Sequence, residues 1–333
     1  MGDINMKKVS VLIASTNVRD ILEECLTNLK GLIDKGQNLE VIVTDNESTD
    51  GTPEMVREKF SFVTLQNTPN YGLANCCTLG AKRAAGDYLL FLGEDGFPRE
   101  NTIPGLVDYM ESHPDVGLAT ARLVLRDGSL DMDVHRRFPT PWSSFARLFM
   151  LSAIFPKSKV FNSYFMVDQD HSKAHEIEMC ITHFMFIPKK VYDEVGGFDD
   201  KNYFVFGEDA DMCYKIKQAG YKLMYLPQFE AGHYKGASFG TRKSTQDISI
   251  KSLQWKNFIH LNSTRAMRVF ANKFYKKKYP FIVLWFMDFG SYALQAQRQI
   301  TETYKHIKRY GFTFLTDDYT KGSRKRLKER FGF

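Results

Sequence analysis

An α/β fold with a mostly parallel central sheet flanked by helices is what this 333-residue chain predicts. Three observations carry that expectation. Short apolar runs alternate with helical patterns through the N-terminal part, the order that yields parallel strands joined by right-handed crossovers. Two carboxylate-rich clusters, Gly93-Glu94-Asp95-Gly96 and Gly207-Glu208-Asp209-Ala210-Asp211, each follow an apolar or aromatic run, residues 88–92 and 203–206. Carboxylates at strand ends are costly to bury unless they bind something, and open α/β sheets hold ligands beyond the carboxyl ends of their strands. From residue 241 onward the strand alternation stops and the chain reads as helical and basic.

The elements follow in order. Residues 9–14 are continuously apolar and end at Ser15-Thr16-Asn17, a strand and its loop. Ile21, Leu22, Cys25, Leu26, Leu29 and Leu32 recur at three and four, a helix, with Asp20 as the expected cap. Residues 39–44 form a second strand, ended by a polar stretch from Asp45 to Thr52. Asp50 or Thr52 caps the next helix, and Pro53 suits its first turn. A third strand covers 63–65, a third helix 72–85 and a fourth strand 88–92. A further strand-like run, 223–227, precedes His233.

This order also fits dinucleotide-binding folds, but neither G-x-G-x-x-G nor G-x-x-x-x-G-K-[ST] follows the first strand. A pyrophosphate then has no glycine-rich helix start to sit on. A metal held by carboxylates is the alternative, and Asp95 fits it, because magnesium and manganese take oxygen ligands and share them with phosphates.

Read together, VSVLIASTN, EVIVTDNESTDGT, NYGLANCCTLGAKRAAGDYLLFLGEDG, VGGFDDKNYFVFGEDADMCYKIKQAGYKLMYLP and HYKGAS resemble the inverting nucleotide-sugar glycosyltransferases of family 2, which have the GT-A fold. The resemblance covers residues 7–240. HRRFPTPW and HYKGAS narrow it toward a rhamnosyltransferase-like branch that builds surface glycans. It implies a donor such as a dTDP- or UDP-linked sugar and an acceptor hydroxyl on a surface glycan or lipid-linked saccharide. Asp45 matches the aspartate that reads the base. Ala14, Ser15 and Asn17 match the loop around the base, and Gly72 and Ala81 match positions lining the nucleoside pocket. Asp95 matches the last aspartate of the D-x-D motif, which holds Mn2+ or Mg2+. His233 matches a histidine that completes the metal site or contacts the diphosphate. Asp209 matches the general base, with Glu208 as the alternative. The chain departs from the family at Gly93, where the first aspartate of D-x-D is expected. Glu94 is then a candidate for the ribose hydroxyls or for assisting the metal.

The chemistry explains the residue types. In direct inversion a hydroxyl attacks the anomeric carbon opposite the diphosphate, and one carboxylate takes its proton. A metal stabilises the leaving diphosphate. Arginine forks suit phosphate, so Arg136 and Arg137 are candidates for a diphosphate or acceptor phosphate. Bland readings stand beside these: Glu208, Asp209 and Asp211 as ordinary acids in a helix's first turn, Asp211 as a structural cap, and 45–51 as a polar turn. The rival from another class is a non-catalytic nucleotide-sugar-binding or scaffolding protein, supported by Gly93. A nucleotidyltransferase would carry a glycine-rich basic loop where Ala14-Ser15-Thr16-Asn17 stands.

Composition agrees: 43% hydrophobic and 25% charged residues are ordinary for a folded protein. The net charge of +6 is modest, and no nucleic-acid-binding motif accompanies it. Five cysteines without metal spacing suit a reduced compartment. Residues 1–8 lack the apolar core of a signal peptide, so a cytoplasmic location at the inner face of the membrane is expected. The expected domains are 1–240, catalytic, and 241–333, helical and basic. Lys276, Lys277 and Lys278 beside the aromatic run 281–287, together with a basic tail at 321–330, predict contact with an anionic membrane. The apolar run 145–155 is a second candidate for lipid contact. Residues 281–287 are too few to span a bilayer, which takes about 20 apolar residues.

Overall fold

The computed structural model describes residues 7–235, 252–313 and 315–316. The basic tail, the late HYKGAS glycine and serine, and the extreme N-terminus lie outside the described residues. Four strands form one edge of the sheet: β1 (Val9–Ser15), β2 (Leu39–Asn46), β3 (Val63–Thr68) and β4 (Tyr88–Leu92). All their pairings are parallel, in the order β3-β2-β1-β4. The crossovers run through α1 (Arg19–Asp34), α2 (Thr52–Lys59) and α3 (Leu73–Arg83), as the periodicity predicts. Ile21, Leu22, Cys25, Leu26, Leu29 and Leu32 are all buried, so the face read from sequence is the face that meets the core.

Capping differs at α1 and at α2, where Gly51, not Asp50 or Thr52, is the N-cap of α2. Val18, not Asp20, is the N-cap of α1, and Asp50 from the next loop accepts the Arg19 backbone N–H at 3.0 Å. Asp50 also accepts the Thr52 N–H at the start of α2. One carboxylate therefore serves two helix starts, satisfying donors that have no partner within their own helix.

Beyond β4 the sheet becomes mixed. The chain forms β5 (Gly96–Pro98), α4 (Thr102–Ser112) and β6 (Val116–Leu125). It then makes a long excursion containing α5 (Pro141–Leu148), α6 (Leu151–Ile154) and β7 (His175–Glu176). It returns as β8 (Phe184–Pro188), antiparallel to both β4 and β6. After α7 (Lys189–Glu194) and α8 (Glu208–Gln218), β9 (Lys222–His233) closes the order β4-β8-β6-β9-β5. The excursion leaves the carboxyl end of β6 and returns at that same end, where Phe184 pairs with Leu92, so β8 runs antiparallel to its neighbours. Its five residues are all buried.

Residues 203–206, expected as a strand, form a bend instead. Phe206 and Gly207 both have positive φ, 66° and 81°, which breaks an extended chain and turns it into α8. For Phe206 that backbone is strained, and its neighbours Tyr203, Phe204 and Val205 hold the bend by burying their side chains.

The C-terminal helices α9 (Leu253–Phe274) and α10 (Phe281–Tyr310) follow. Phe270, Ala271 and Tyr275 enter the same core as the sheet. Lys273 donates to Asp199 at 2.7 Å and to Asp211 at 2.6 Å. Asp211, fully buried and also 3.3 Å from Lys215, is thus an anchor for α9. The expected boundary at 240/241 falls outside the described residues.

Candidate active site

Three groups of side chains gather at the carboxyl ends of β1, β2 and β4. The first is built from the strand-end loops. Asn17, at φ 53°, accepts the Thr49 N–H at 2.7 Å through its side chain, and its own N–H donates to Ser48 Oγ at 2.9 Å. The loops after β1 and β2 are therefore tied into one rim that contains Ser15, Asn17 and Asp45, with Ala14 one residue back on β1. Asp45 is almost fully buried, and burial pushes its carboxyl up against the opposing hydrogen bonds from Ser48. Its Oδ1 accepts the Ser48 N–H at 2.9 Å, while Oδ2 and the Ser15 hydroxyl have no hydrogen-bond partner. A buried acceptor without a donor suits a ligand N–H.

Two neighbouring positions are set by packing. A side chain at Gly72, which has φ 91°, would strike the Phe204 carbonyl oxygen at 2.1 Å, so glycine lets α3 start against the 203–206 bend. Ala81 is buried in the core, eight residues into α3. At about 1.5 Å per residue that is about 12 Å from the helix start. Ala81 therefore packs against the sheet and does not line the strand ends, a correction of its expected place. Glu94 is half-buried on the turn between β4 and β5.

The second group is Asp95, His183 and His233, each offering a ligand atom within 4.8 Å of the others. His183 Nε2 stands 3.1 Å from Asp95 Oδ1, and His233 Nε2 3.8 Å from Asp95 Oδ2. Asp95 Oδ2 and His183 Nε2 are buried without a hydrogen bond, although they are close neighbours. Lone pairs gathered in this way, not aimed at each other's protons, suit a shared cation. The electrostatics agree. Burial pushes the His183 imidazole down to about 4. His233 is lowered by burial and then by His183, so both rings are neutral near pH 7. His233 Nδ1 is 2.9 Å from Asp131 Oδ2, which fixes the tautomer that leaves Nε2 toward Asp95. Asp131 is itself held well below the usual carboxylate range: burial would raise it, but the His233 hydrogen bond and Lys235 outweigh that.

Sequence reasoning missed His183, and Gly93 explains it. A Cβ built on Gly93 would lie 1.7 Å from His183 Cε1. The imidazole fills the space that a side chain at 93 would take. The chain lacks the first acid of D-x-D because a ring from the start of β8 occupies its place. The signal in sequence was the polar pair Thr182-His183 directly before the apolar run of β8.

The third group is on the first turn of α8. Thr182 donates to Glu208 Oε1 at 3.1 Å, so adjacent residues connect the metal-type cluster to the acid pair. Glu208 is buried, and burial, then the Asp209 charge, pushes its carboxyl up to about 8. It therefore carries a proton at neutral pH. Asp209, by contrast, lines a cavity of about 200 Å³. Its Oδ2 accepts from Arg136 Nη2 at 2.8 Å and its Oδ1 from the Ala210 N–H at 2.8 Å. Arg137 is occupied elsewhere: its fork grips Asp168 at 2.8 and 2.7 Å and also donates to the Ser163 carbonyl. Instead of the expected phosphate contact, Arg137 uses three of its donors to pin the 163–168 segment.

Residues 10–196 match the family model described as Glycosyl transferase family 2, more than half of the chain. The chain belongs to glycosyltransferase family 2. The rhamnosyltransferase WbbL of Escherichia coli (strain K12) is 24% identical to this glycosyltransferase over 269 residues, covering 77% of this chain and 90% of that protein. An N-acetylglucosaminyl-diphospho-decaprenol L-rhamnosyltransferase of Mycobacterium tuberculosis is 25% identical over 212 residues, covering 60% and 68%. Among solved structures, mannosyltransferase PcManGT of Pyrobaculum calidifontis, in complex with GDP-Man and Mn2+, superposes with a TM-score of 0.54 at 18% identity, covering 97% of this chain and 87% of that one. GalNAc-T7 with UDP, GalNAc and Mn2+ gives a TM-score of 0.52 at 16% identity, covering 92% and 59%. At such identities the likeness establishes the fold, which is GT-A.

Proposed function

We propose that this glycosyltransferase inverts configuration as it moves a hexosyl or deoxyhexosyl group, rhamnose being favoured, from a dTDP- or UDP-linked donor to a hydroxyl of a lipid-linked saccharide or surface glycan. The observation that supports it is the convergence of Asp45, the Asp95–His183–His233 cluster and Asp209 on one edge of the sheet. Names of the relatives favour rhamnose and a diphosphate-linked acceptor.

In this reading Asp45 Oδ2 accepts the imide N–H of uracil or thymine, and Asn17 holds the rim shut by tying the two loops. Asp95, His183 and His233 would hold a divalent ion, Mn2+ rather than Mg2+, because imidazole ligands suit transition metals better than magnesium; neighbours of the same fold carry Mn2+. Such an ion stabilises the charge that builds on the leaving diphosphate. Asp209 is the base. It faces the cavity, while Glu208 is walled off and protonated. The acceptor oxygen forms its bond to the anomeric carbon as the bond to the diphosphate oxygen breaks. The diphosphate leaves with that electron pair, and the hydroxyl proton passes to Asp209. Arg136 fixes the carboxylate's orientation through Oδ2.

The same reading places the enzyme on the cytoplasmic face of an anionic membrane. Phe281, Trp285, Phe286 and Phe289 of α10 are exposed, and so are Phe145, Phe149 and Phe155 around α5 and α6. The two patches adjoin, since Leu148 of α5 lies 3.3 Å from a Cβ built on Gly290 of α10. Lys276, Lys277 and Lys278 stand exposed on the turn before α10. Among the described residues no helix is long and apolar enough to cross a membrane, so surface contact is the mode that fits.

A screen of donor turnover across dTDP-, UDP- and GDP-linked sugars, with Mn2+, Mg2+ or chelator, tests the proposal. Turnover of a dTDP- or UDP-linked sugar, stimulated most by Mn2+, is expected. Binding of these donors without turnover in the presence of any acceptor would favour the scaffolding alternative.

A further inference from the structure

The cavity that Asp209 opens on has a cationic wall that the reaction itself does not use. Arg147 of α5 and Arg298 of α10 line it, with Ser144 and Ser263. Among the described residues neither guanidinium has a carboxylate within 4.0 Å. Arg298 Nη1 donates to Ser263 Oγ at 3.1 Å, a neutral partner. Arg147 lies over the Tyr164 ring, 4.9 Å from its centroid. The Ser144 hydroxyl and Arg136 Nε are shielded from solvent and have no hydrogen-bond partner. The cavity's carboxylate, Asp209, is already paired with Arg136.

Two guanidiniums brought to one small space, with no counter-charge among the described residues, cost free energy, and an anion between them offsets it. Burial, and then the charge of Arg147, lower the pKa of Arg298, so the two arginines do sense each other. Planar forks match phosphate oxygens in pairs. Unpartnered buried donors next to those forks point the same way.

The geometry points to an acceptor subsite in this cavity, where Arg147 and Arg298 hold a phosphate or diphosphate group of the acceptor while its hydroxyl meets Asp209. This rests on the transferase reading above and gives that reading its acceptor chemistry. The two helices that supply the arginines are the ones that carry the exposed aromatic patches. A lipid-linked diphosphate would place its anion between the arginines and its chain along those patches. A soluble sugar phosphate offers the same anion without the chain.

The full-length protein is compared with Arg298→Gln, Arg147→Gln and Arg298→Lys. Calorimetry with inorganic pyrophosphate, in chelator so that the Asp95 cluster takes no part, is expected to show binding to wild type, at least about a tenfold loss in each Gln variant and partial recovery in Arg298→Lys. For a saccharide linked through diphosphate to a short prenyl chain, KM is expected to rise at least about tenfold in the Gln variants while kcat stays within about twofold. KM for the same saccharide as a neutral alkyl glycoside does not rise in parallel. Affinity for the donor nucleotide with Mn2+, measured on the same preparations, reports an intact fold. A saccharide diphosphate lacking lipid separates the two sources: equal KM means the anion alone is read, and a much higher KM means a lipid headgroup is. Equal pyrophosphate binding by wild type and Gln variants, or an unchanged KM for the diphosphate acceptor, overturns the subsite. If no acceptor is glycosylated at all, the transferase reading has failed, and the pyrophosphate titration still decides the subsite.

Discussion

The proposed donor side and the proposed acceptor side of this molecule are built in different ways. On the donor side, β1 to β4 are parallel neighbours joined by short crossovers, and their polar tips are tied by bonds between successive loops, such as Asn17 to Thr49, and within one loop, such as Asp50 to Thr52. On the acceptor side the cavity takes residues from the 136–179 excursion, α8, α9 and α10. Its contacts are long in sequence, as between Arg136 and Asp209 or Tyr275 and the Pro139 carbonyl. A nucleotide diphosphate is a constant ligand, and a repetitive scaffold suffices for it. An acceptor is variable, and irregular segments on the same scaffold can change to fit it.

The largest effect expected is at the junction of the two sides. Asp209→Asn should cut transfer by about 10²–10⁴, the range for a general base, and leave Mn2+-dependent nucleotide affinity nearly intact. Wild-type turnover in that variant would remove Asp209 from the chemistry and blur the division between sides.

The candidate metal cluster belongs to both sides, since Asp95 follows β4 and His183 ends the excursion. Asp131→Asn, which removes the charge that orients His233, should lower Mn2+ affinity about 10–100-fold, as loss of such a partner does. His183→Ala should lower it at least as much. Electron paramagnetic resonance of unbound Mn2+ reads both without any turnover. Unchanged affinity in His183→Ala would return the site to the donor side alone.

A third measurement asks whether the excursion is held by packing. His135 is buried, stacks on Tyr225 with centroids 4.9 Å apart, and adjoins His171 and His175. Burial, then His171 and His175, push its pKa down to about 3, with Asp131 opposing and Arg136 adding to the shift. An unfolded imidazole titrates near 6.5. Below that pH the unfolded state takes a proton that the folded state refuses, so stability falls as pH drops from about 6.5 toward 3. Between pH 7 and 4.5 His135 should account for a loss on the order of 2 kcal/mol. Urea unfolding of His135→Phe at the two pH values should show that much less decline than wild type. An equal decline would assign the acid sensitivity to other groups.

The smallest effect is at the surface. Replacing Lys276, Lys277 or Lys278 singly by Gln should weaken co-sedimentation with anionic vesicles by about 1 kcal/mol each. High salt should act likewise through screening. Failure of the wild type to bind such vesicles at low salt would leave the aromatic faces of α5 and α10 without their proposed partner.

The sequence by itself determined the parallel half of the sheet. Continuous apolar runs specify buried strands, and the spacing of Ile21 to Leu32 specifies the face of α1 that they meet. Asp45 and Asp95 could be placed because each ends such a run. Short connections leave parallel pairing as the solution, so local pattern and tertiary outcome coincide. Tertiary structure alone decided the rest. The apolar run of β8 has no direction in sequence, and the excursion makes it antiparallel. Residues 203–206 read as a strand, but two consecutive positive-φ residues bend them, a property of backbone angles that hydrophobicity does not encode. Gly93 read as a lost ligand, whereas a ring 90 positions later fills its space. Arg136 and Arg137 are adjacent and chemically alike, yet one faces the cavity and the other grips Asp168, because successive side chains of an extended segment point opposite ways. Which groups meet across such separations depends on packing of distant segments, and a pattern of neighbouring residues carries no record of it.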